Sequence, residues 1–225
     1  MRDNRVDADY FAFSDQDDIW HPEKLERALS FMQNVRDDQP AVYCSRTELI
    51  DGAGQHSGFS RNLKKAPSFQ NALVENVAGG NTMVFNRAAR ALLARLTDQN
   101  IVIHDWSTYV FVSAVGGTIL YDRTPWVRYR QHENNLIGAK SSFRARVRRI
   151  GKGQWQAWTA AHLEGLAALS TDITAENRST LKSFIQMREA DGLLQRCWYL
   201  LKSGVYRQTL LGQIGLLLAA AFRKV

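Results

Sequence analysis

The chain has 225 residues, 45% of them apolar and 23% charged, so it can bury the core of one large domain and does not have a disordered composition. Cys44 and Cys197 lie far apart and in no metal-type spacing, which argues against a disulfide scaffold, and the five histidines show no paired zinc spacing. Residues 1–9 are polar and charged, unlike a secretory signal, and no apolar run reaches the roughly 18–20 residues of a membrane span. The net charge of +7 is uneven. Residues 1–140 hold 16 Lys+Arg against 17 Asp+Glu, whereas residues 141–225 hold 13 against 5. That basic excess points to a surface facing polyanions, either anionic lipid or nucleic acid.

In chain order, an apolar strand is predicted at about 9–14, then a loop, then a helix from Pro22, whose missing N–H is not needed in a first turn. Leu25, Leu29 and Met32 recur at helical spacing in it. A strand at 41–49, a turn at 51–54, a polar loop at 55–66 and a short helix near 68–75 follow. Gly79 and Gly80 precede a strand at 81–85 and a helix at 87–97. Another helix starts near Asp105 and ends at Gly116 and Gly117, with strands at 118–122 and 125–131. Beyond 141 the pattern is helical, over about 142–169, 174–202 and 205–223. The expected organisation is therefore an α/β part over 1–140 and a basic helical extension over 141–225.

The densest chemistry lies at Tyr10-Phe-Ala-Phe-Ser-Asp15-Gln-Asp17-Asp18-Ile-Trp20, where a strand ends in three carboxylates within four positions. Ligands of α/β sheets bind outside strand carboxyl ends. A calcium loop does not fit, because Ile19 and Trp20 stand where an oxygen ligand and a turn glycine are needed. Two readings remain from the residues. One is a solvated loop whose acids favour the positive end of the next helix. The other is a site for Mg²⁺ or Mn²⁺ shared with a diphosphate, since such ions need one or two carboxylates besides phosphate and water.

Phe13-Ser-Asp-Gln-Asp-Asp-Ile-Trp-His-Pro-Glu-Lys-Leu25 closely resembles the Asp-x-Asp segment of family 2 glycosyltransferases, most of all the bacterial rhamnosyltransferase-type members that build surface polysaccharides. Gly80-Asn-Thr-Met-Val-Phe-Asn86, His104-Asp105-Trp106 and Arg130-Gln-His-Glu-Asn-Asn135 follow in the order that family shows, so the resemblance spans about 9–138. It implies a partial GT-A mixed sheet and an inverting, metal-dependent transfer of sugar from a nucleotide-sugar donor to a glycan or lipid-linked acceptor. By the resemblance, Asp105 is the catalytic base, although its position equally suits a helix cap. Asp15 and Asp17 are the metal ligands, with His132 as a further metal or diphosphate contact, and Arg130 faces the donor. Trp20, Gly79, Gly80, Asn81 and Trp106 are expected on the acceptor side. Tryptophans in such positions also commonly pack in cores, and paired glycines also simply make turns.

Met1 stands fourteen residues before Asp15, so the βα units expected ahead of the acidic strand have no counterpart in this sequence. An open sheet edge is therefore expected, covered by a second copy or a partner chain, with weak donor binding by this chain alone. Leu210, Leu211, Ile214, Leu217, Leu218 and Phe222 suggest either a helix packed on the rest of the chain or one lying on an anionic membrane, on the inner face of a cell. The alternative to catalysis is a truncated glycosyltransferase remnant that binds membrane or a partner. A nucleic-acid-binding module lacks any recognised motif.

Overall fold

The computed structural model describes residues 6–131 and 154–225. His132, Asn134, Asn135 and the basic stretch from Arg144 to Lys152 lie outside the described residues, as does the start of the helix expected from 142.

Two mixed four-stranded sheets share the chain. The first has the order β1 (Tyr10–Ala12), β6 (Val84–Asn86), β3 (Ala41–Ser45), β7 (Thr118–Asp122). The second has the order β2 (Ile19–Trp20), β8 (Val127–Arg130), β4 (Glu48–Ile50), β5 (His56–Phe59). β3 pairs in parallel with β7, and β4 in parallel with β8. The chain thus passes from the first sheet to the second twice in step, from β3 to β4 and from β7 to β8.

The single strand expected over 41–49 is therefore two strands in different sheets. The break falls at Arg46 and Thr47, where the ladder partners change. Arg46 N–H donates to the Asp122 carbonyl at 2.9 Å, while Thr47 N–H donates to the Ser60 hydroxyl at 2.9 Å. The segment 55–66, expected as loop, supplies β5, which pairs antiparallel with β4. Its His-Ser-Gly-Phe sequence lacks apolar alternation, and Gly58 sits at φ +136°, a conformation that favours glycine. Among the described residues β1 pairs on one side only, so it forms an edge of the first sheet. Charge covers part of that edge: Arg90 lies 4.7 Å over the Phe11 ring, and Arg87 pairs with Asp7 and Asp9.

The helices are α1 (Lys24–Met32), α2 (Phe69–Ala72), α3 (Arg87–Ala94), α4 (His104–Ala114), α5 (Gln154–Ala168), α6 (Ala175–Glu189), α7 (Leu193–Ser203) and α8 (Leu210–Ala221). α4 is the central one, with every residue from Trp106 to Ala114 buried. A helix apolar on all sides must be covered on all sides. Strands β3 and β7 cover one side, and helices α2, α3 and α5 pack around the rest. Gly165 lets α5 approach, since an added Cβ there would stand 2.6 Å from the Phe111 ring. Asn177 of α6 donates to the Ser113 and Ala114 carbonyls at 2.9 Å, satisfying orphan acceptors at the α4 end. One apolar cluster consequently includes Val42, Tyr109, Phe111, Leu166, Phe184, Leu200 and Leu216, running continuously across position 140.

The helix expected over 174–202 is broken at Ala190–Gly192, where Arg196 takes the freed carbonyls of Ala190 and Asp191. The last helix begins at Leu210 rather than 205 because residues 206–208 are docked elsewhere. Buried Glu75 accepts from Gln208 N–H at 2.7 Å, from Arg61 at 2.7 Å and from Asn71 at 3.3 Å. Burial alone would raise the Glu75 pKa; the Gln208 N–H and the Arg61 and Arg207 charges outweigh it and hold the carboxyl below its usual value. Stability from this group is present above the ordinary glutamate range and fades as pH falls through the lower folded value. Glu75→Gln should cost about 2–4 kcal/mol in urea unfolding at neutral pH, through loss of the Arg61 pair and of one acceptor. An unchanged midpoint would remove Glu75 as the tie between the sheets and the last helix.

Candidate active site

The acidic loop occupies residues 13–18, where the chain leaves β1 in the first sheet and enters β2 in the second. Asp15 is exposed and Asp17 half-buried. Asp18 turns inward, accepting from the Arg130 N–H at 3.0 Å and from the Asn81 side-chain amide. Burial raises the Asp18 pKa; the Asn81 and Arg130 N–H groups oppose that, and Asp15 and Asp17 add to it. The Arg130 guanidinium donates to the carbonyls of Asp17 at 3.1 Å, Asp51 at 3.2 Å and Gly52 at 2.9 Å. It staples the acidic loop to the β4–β5 turn.

Beneath the loop lies Lys24, only 1% exposed. Its Nζ donates to the Asn81 carbonyl at 2.9 Å and stands 3.1 Å over the Trp20 ring. Burial lowers its pKa to about 7, against the raising influence of Asp18 and Asp15. Trp20 was expected to meet an acceptor sugar. One of its faces is taken by Lys24, and its buried indole N–H has no partner among the described residues.

A single turn of 3₁₀ helix, Gly80–Thr82, joins this loop to the second group of residues. Gly80 N–H donates to Asp105 Oδ2 at 3.1 Å. A Cβ on Gly80 would stand 2.6 Å from His104 Nε2 and 3.2 Å from the Asp105 Cβ. Glycine at this position thus lets α4 pack closely against the turn. At Gly79 an added Cβ would meet Asn81 Oδ1 at 3.2 Å. Asp105 lies in the first turn of α4 and its Oδ1 accepts from the Trp106 N–H at 2.6 Å. Burial raises its pKa, opposed by the His104 charge, the Trp106 and Gly80 N–H groups and the Asn76 side chain. His104 packs edge-on against Phe13, 4.6 Å between centroids, and so bridges Asp105 and the first residue of the acidic loop.

Tyr129 on β8 ties the two groups together. Burial first, then the charges of Asp15, Asp18, Asp17 and Asp105, raise its phenol pKa. Tyr129 therefore lies within electrostatic reach of all four carboxylates. The structure therefore gathers Asp15, Asp17, Gly80, Asn81 and Asp105, and adds Asp18, Lys24, His104 and Tyr129 to them. It does not bring Trp106 into the cleft. That indole is 2% exposed, donates to the Ala72 carbonyl at 2.7 Å and packs against Trp155, Trp158 and His162. One helical residue turns the side chain about 100°, so the neighbour of Asp105 faces the core. Among the described residues no group of three or more His, Cys, Asp or Glu could cage a metal. Asp15 and Asp17 suit only an ion completed by phosphate oxygens and water.

Two substitutions test this construction. The unfolded chain keeps Lys24 protonated up to the ordinary value of 10.5, whereas the folded chain releases that proton near 7. Between these values the unfolded state binds more protons, so this group makes stability rise with pH. Lys24→Met should abolish that rise when urea midpoints are compared between about pH 7 and about pH 9.5; identical slopes would mean an ordinary lysine. Gly80→Ala should cost about 1–3 kcal/mol in thermal unfolding and Gly79→Ala under about 1 kcal/mol, because the second added methyl meets only the tip of a side chain. Equal costs would contradict the close packing of α4 on Gly80.

No family model matches the chain, and no solved structure matches it. Among curated proteins it is similar to the dTDP-rhamnosyl transferase RfbG of Shigella flexneri, 31% identical over 157 residues, covering 65% of this chain and 52% of that protein. The chain spans about half the length of the curated relative it matches.

Proposed function

We propose that the chain is a rhamnosyltransferase-like glycosyltransferase of polysaccharide synthesis, moving a sugar from a nucleotide-sugar donor to an acceptor hydroxyl. The observation that carries this reading is the link from the acidic loop through the Asn81–Gly80 turn to a half-buried helix-start carboxylate, Asp105. The likeness to a dTDP-rhamnosyl transferase supports the class of reaction.

In this reading Asp105 is the general base. Its raised pKa makes it a stronger proton acceptor, and the Gly80 and Trp106 N–H groups fix the carboxylate in place. The acceptor oxygen attacks the anomeric carbon as its proton passes to Asp105. The bond from that carbon to the diphosphate oxygen breaks, and the diphosphate leaves with the electron pair. One displacement inverts the anomeric centre and needs no covalent nucleophile. Mg²⁺ or Mn²⁺ held by Asp17, with Asp15 beside it, would supply Lewis-acid neutralisation of the diphosphate. Asp18, Lys24 and Arg130 act as positioning residues: Asp18 and Arg130 hold the loop, and Lys24 holds the Asn81 carbonyl beneath it. The GT-A assignment and family 2 membership belong to the same proposal.

The test is release of nucleoside diphosphate from dTDP-, UDP- and GDP-sugars by the full chain, with Mg²⁺ or Mn²⁺ and glycan acceptors. Metal-stimulated release is expected from at least one donor. Asp105→Asn should lower it at least about 100-fold, the size of a lost general base, without changing the thermal transition. Asp17→Asn should raise the metal concentration needed for half-maximal rate. Full activity in Asp105→Asn, or no metal-stimulated release from any donor, would sink the reading.

A further inference from the structure

Helices α7 and α8 lie side by side, the start of α7 tied to the end of α8 by the Arg196 guanidinium donating to the Ala221 carbonyl at 3.0 Å. Each turns a stripe of large apolar side chains to the outside: Leu194, Trp198 and Leu201 on α7, and Leu211, Ile214 and Leu218 on α8. Leu194 is 85% exposed and Leu211 83%. These residues recur at helical spacing, so each stripe runs the length of its own helix. A contiguous exposed apolar face of this kind is unusual on a monomer and marks a contact surface.

The charges decide what it contacts. Residues 192–225 contain Arg196, Lys202, Arg207, Arg223 and Lys224 and no acid. Arg223 and Arg207 face Asp191 and Glu75, so Lys202 and Lys224 are the exposed cations flanking the face, and a two-fold dimer would set these like charges against themselves. An anionic surface suits it. No helix among the described residues is long and apolar enough to cross a membrane. At 11 and 12 residues, α7 and α8 are each under about 20 Å long, too short to span a hydrocarbon core of about 30 Å.

A second observation stands at the same end of the face, where α7 begins and α8 ends. A cavity of about 300 Å³ opens there, lined by Arg188, Arg196 and Arg223 together with Met187, Glu189 and Gln156. Arg223 is paired with Asp191, and Arg196 spends its terminal nitrogens on carbonyls. Two donors are left over. The buried Arg188 Nη1 and Arg196 Nε have no partner among the described residues, although Arg196 is only 8% exposed. Buried guanidinium donors are normally satisfied, and a planar N–H array suits the oxygens of a phosphate.

We propose that the α7–α8 face seats on an anionic phospholipid bilayer, with a headgroup phosphate drawn into the cavity between Arg188 and Arg196. The apolar stripes enter the acyl boundary, and Lys202 and Lys224 meet neighbouring headgroups. This inference goes beyond sugar transfer and does not depend on it.

The experiment is cosedimentation of the full chain with phosphatidylglycerol-containing vesicles at about 0.1 M salt, where surface attraction is already screened beyond about 10 Å. Phosphatidylcholine vesicles form the second arm, and inorganic phosphate the competitor. Binding to the anionic vesicles alone is expected, with Leu211→Glu/Leu218→Glu lowering the bound fraction at least tenfold while the thermal transition stays unchanged. Arg188→Met should lower binding several-fold with the apolar face intact. Excess phosphate should compete with the wild type and not with Arg188→Met. No binding to anionic vesicles, equal binding to both kinds, or an unaffected Leu211→Glu/Leu218→Glu protein would overturn the surface. A concentration-dependent dimer lost in that double variant, without vesicle binding, would assign the face to a second copy and overturn it too. Unchanged vesicle binding by Arg188→Met would overturn the headgroup seat.

Discussion

The cleft depends on one buried knot around Asn81. Its side chain holds Asp18, its carbonyl holds Lys24, and it sits in the turn whose Gly80 N–H holds Asp105. A lysine so deeply buried and a carboxylate beside it are each costly in a low-dielectric setting. Here Lys24 donates to the Asn81 carbonyl while the Asp18 and Asp15 charges favour its protonated form, and Asp18 is satisfied by the Arg130 N–H and the Asn81 amide. Asp15 is exposed and Asp17 half-buried beside the Asp18 carboxylate that Asn81 and Arg130 hold.

The carboxyl-terminal helices contribute directly to the same construction. α5 packs on α4 through Gly165 and His162, and Asn177 of α6 closes its last turn. The helix that presents Asp105 at its first turn is therefore held along its length by residues more than fifty positions later. Glu75 adds a second tie by anchoring residues 206–208 beside α2. Asp105 is a usable base in the proposed chemistry only because this packing keeps it half out of water.

Much of this was legible in the sequence where local signals agree. The acidic run after an apolar strand, the helix starting at Asp105 and the paired glycines before β6 all follow from periodicity and turn residues. The misses have physical causes. The break between β3 and β4 is made by Ser60, which takes the Thr47 N–H, and no local pattern at 41–49 announces a partner thirteen residues away. Lys24 carries a residue type that is nearly always exposed, so its burial follows only from tertiary structure. Tyr129 and His104 were visible as neighbours of Arg130 and Asp105, yet their role depends on which face of an element they occupy. Trp106 went the other way: an aromatic beside a catalytic-type acid reads as a sugar platform until the helix turns it inward.

The paired crossing of β3–β4 and β7–β8 has a consequence for how change propagates. β8 touches the acidic loop at Asp18 and Ile19 on one side and β4 on the other, with Leu49 opposite Tyr129. Because side chains alternate along a strand, a slip of one residue between β4 and β8 would turn Tyr129 out of the cleft and an arginine in. The geometry of the carboxylates is thus indexed by a strand pair and by the 51–55 turn that Arg130 grips. Length changes in that short turn, far from every acid in the cleft by sequence, would be felt at once in the acidic loop. Equal changes in the segment between α6 and α7 would leave its indexing untouched.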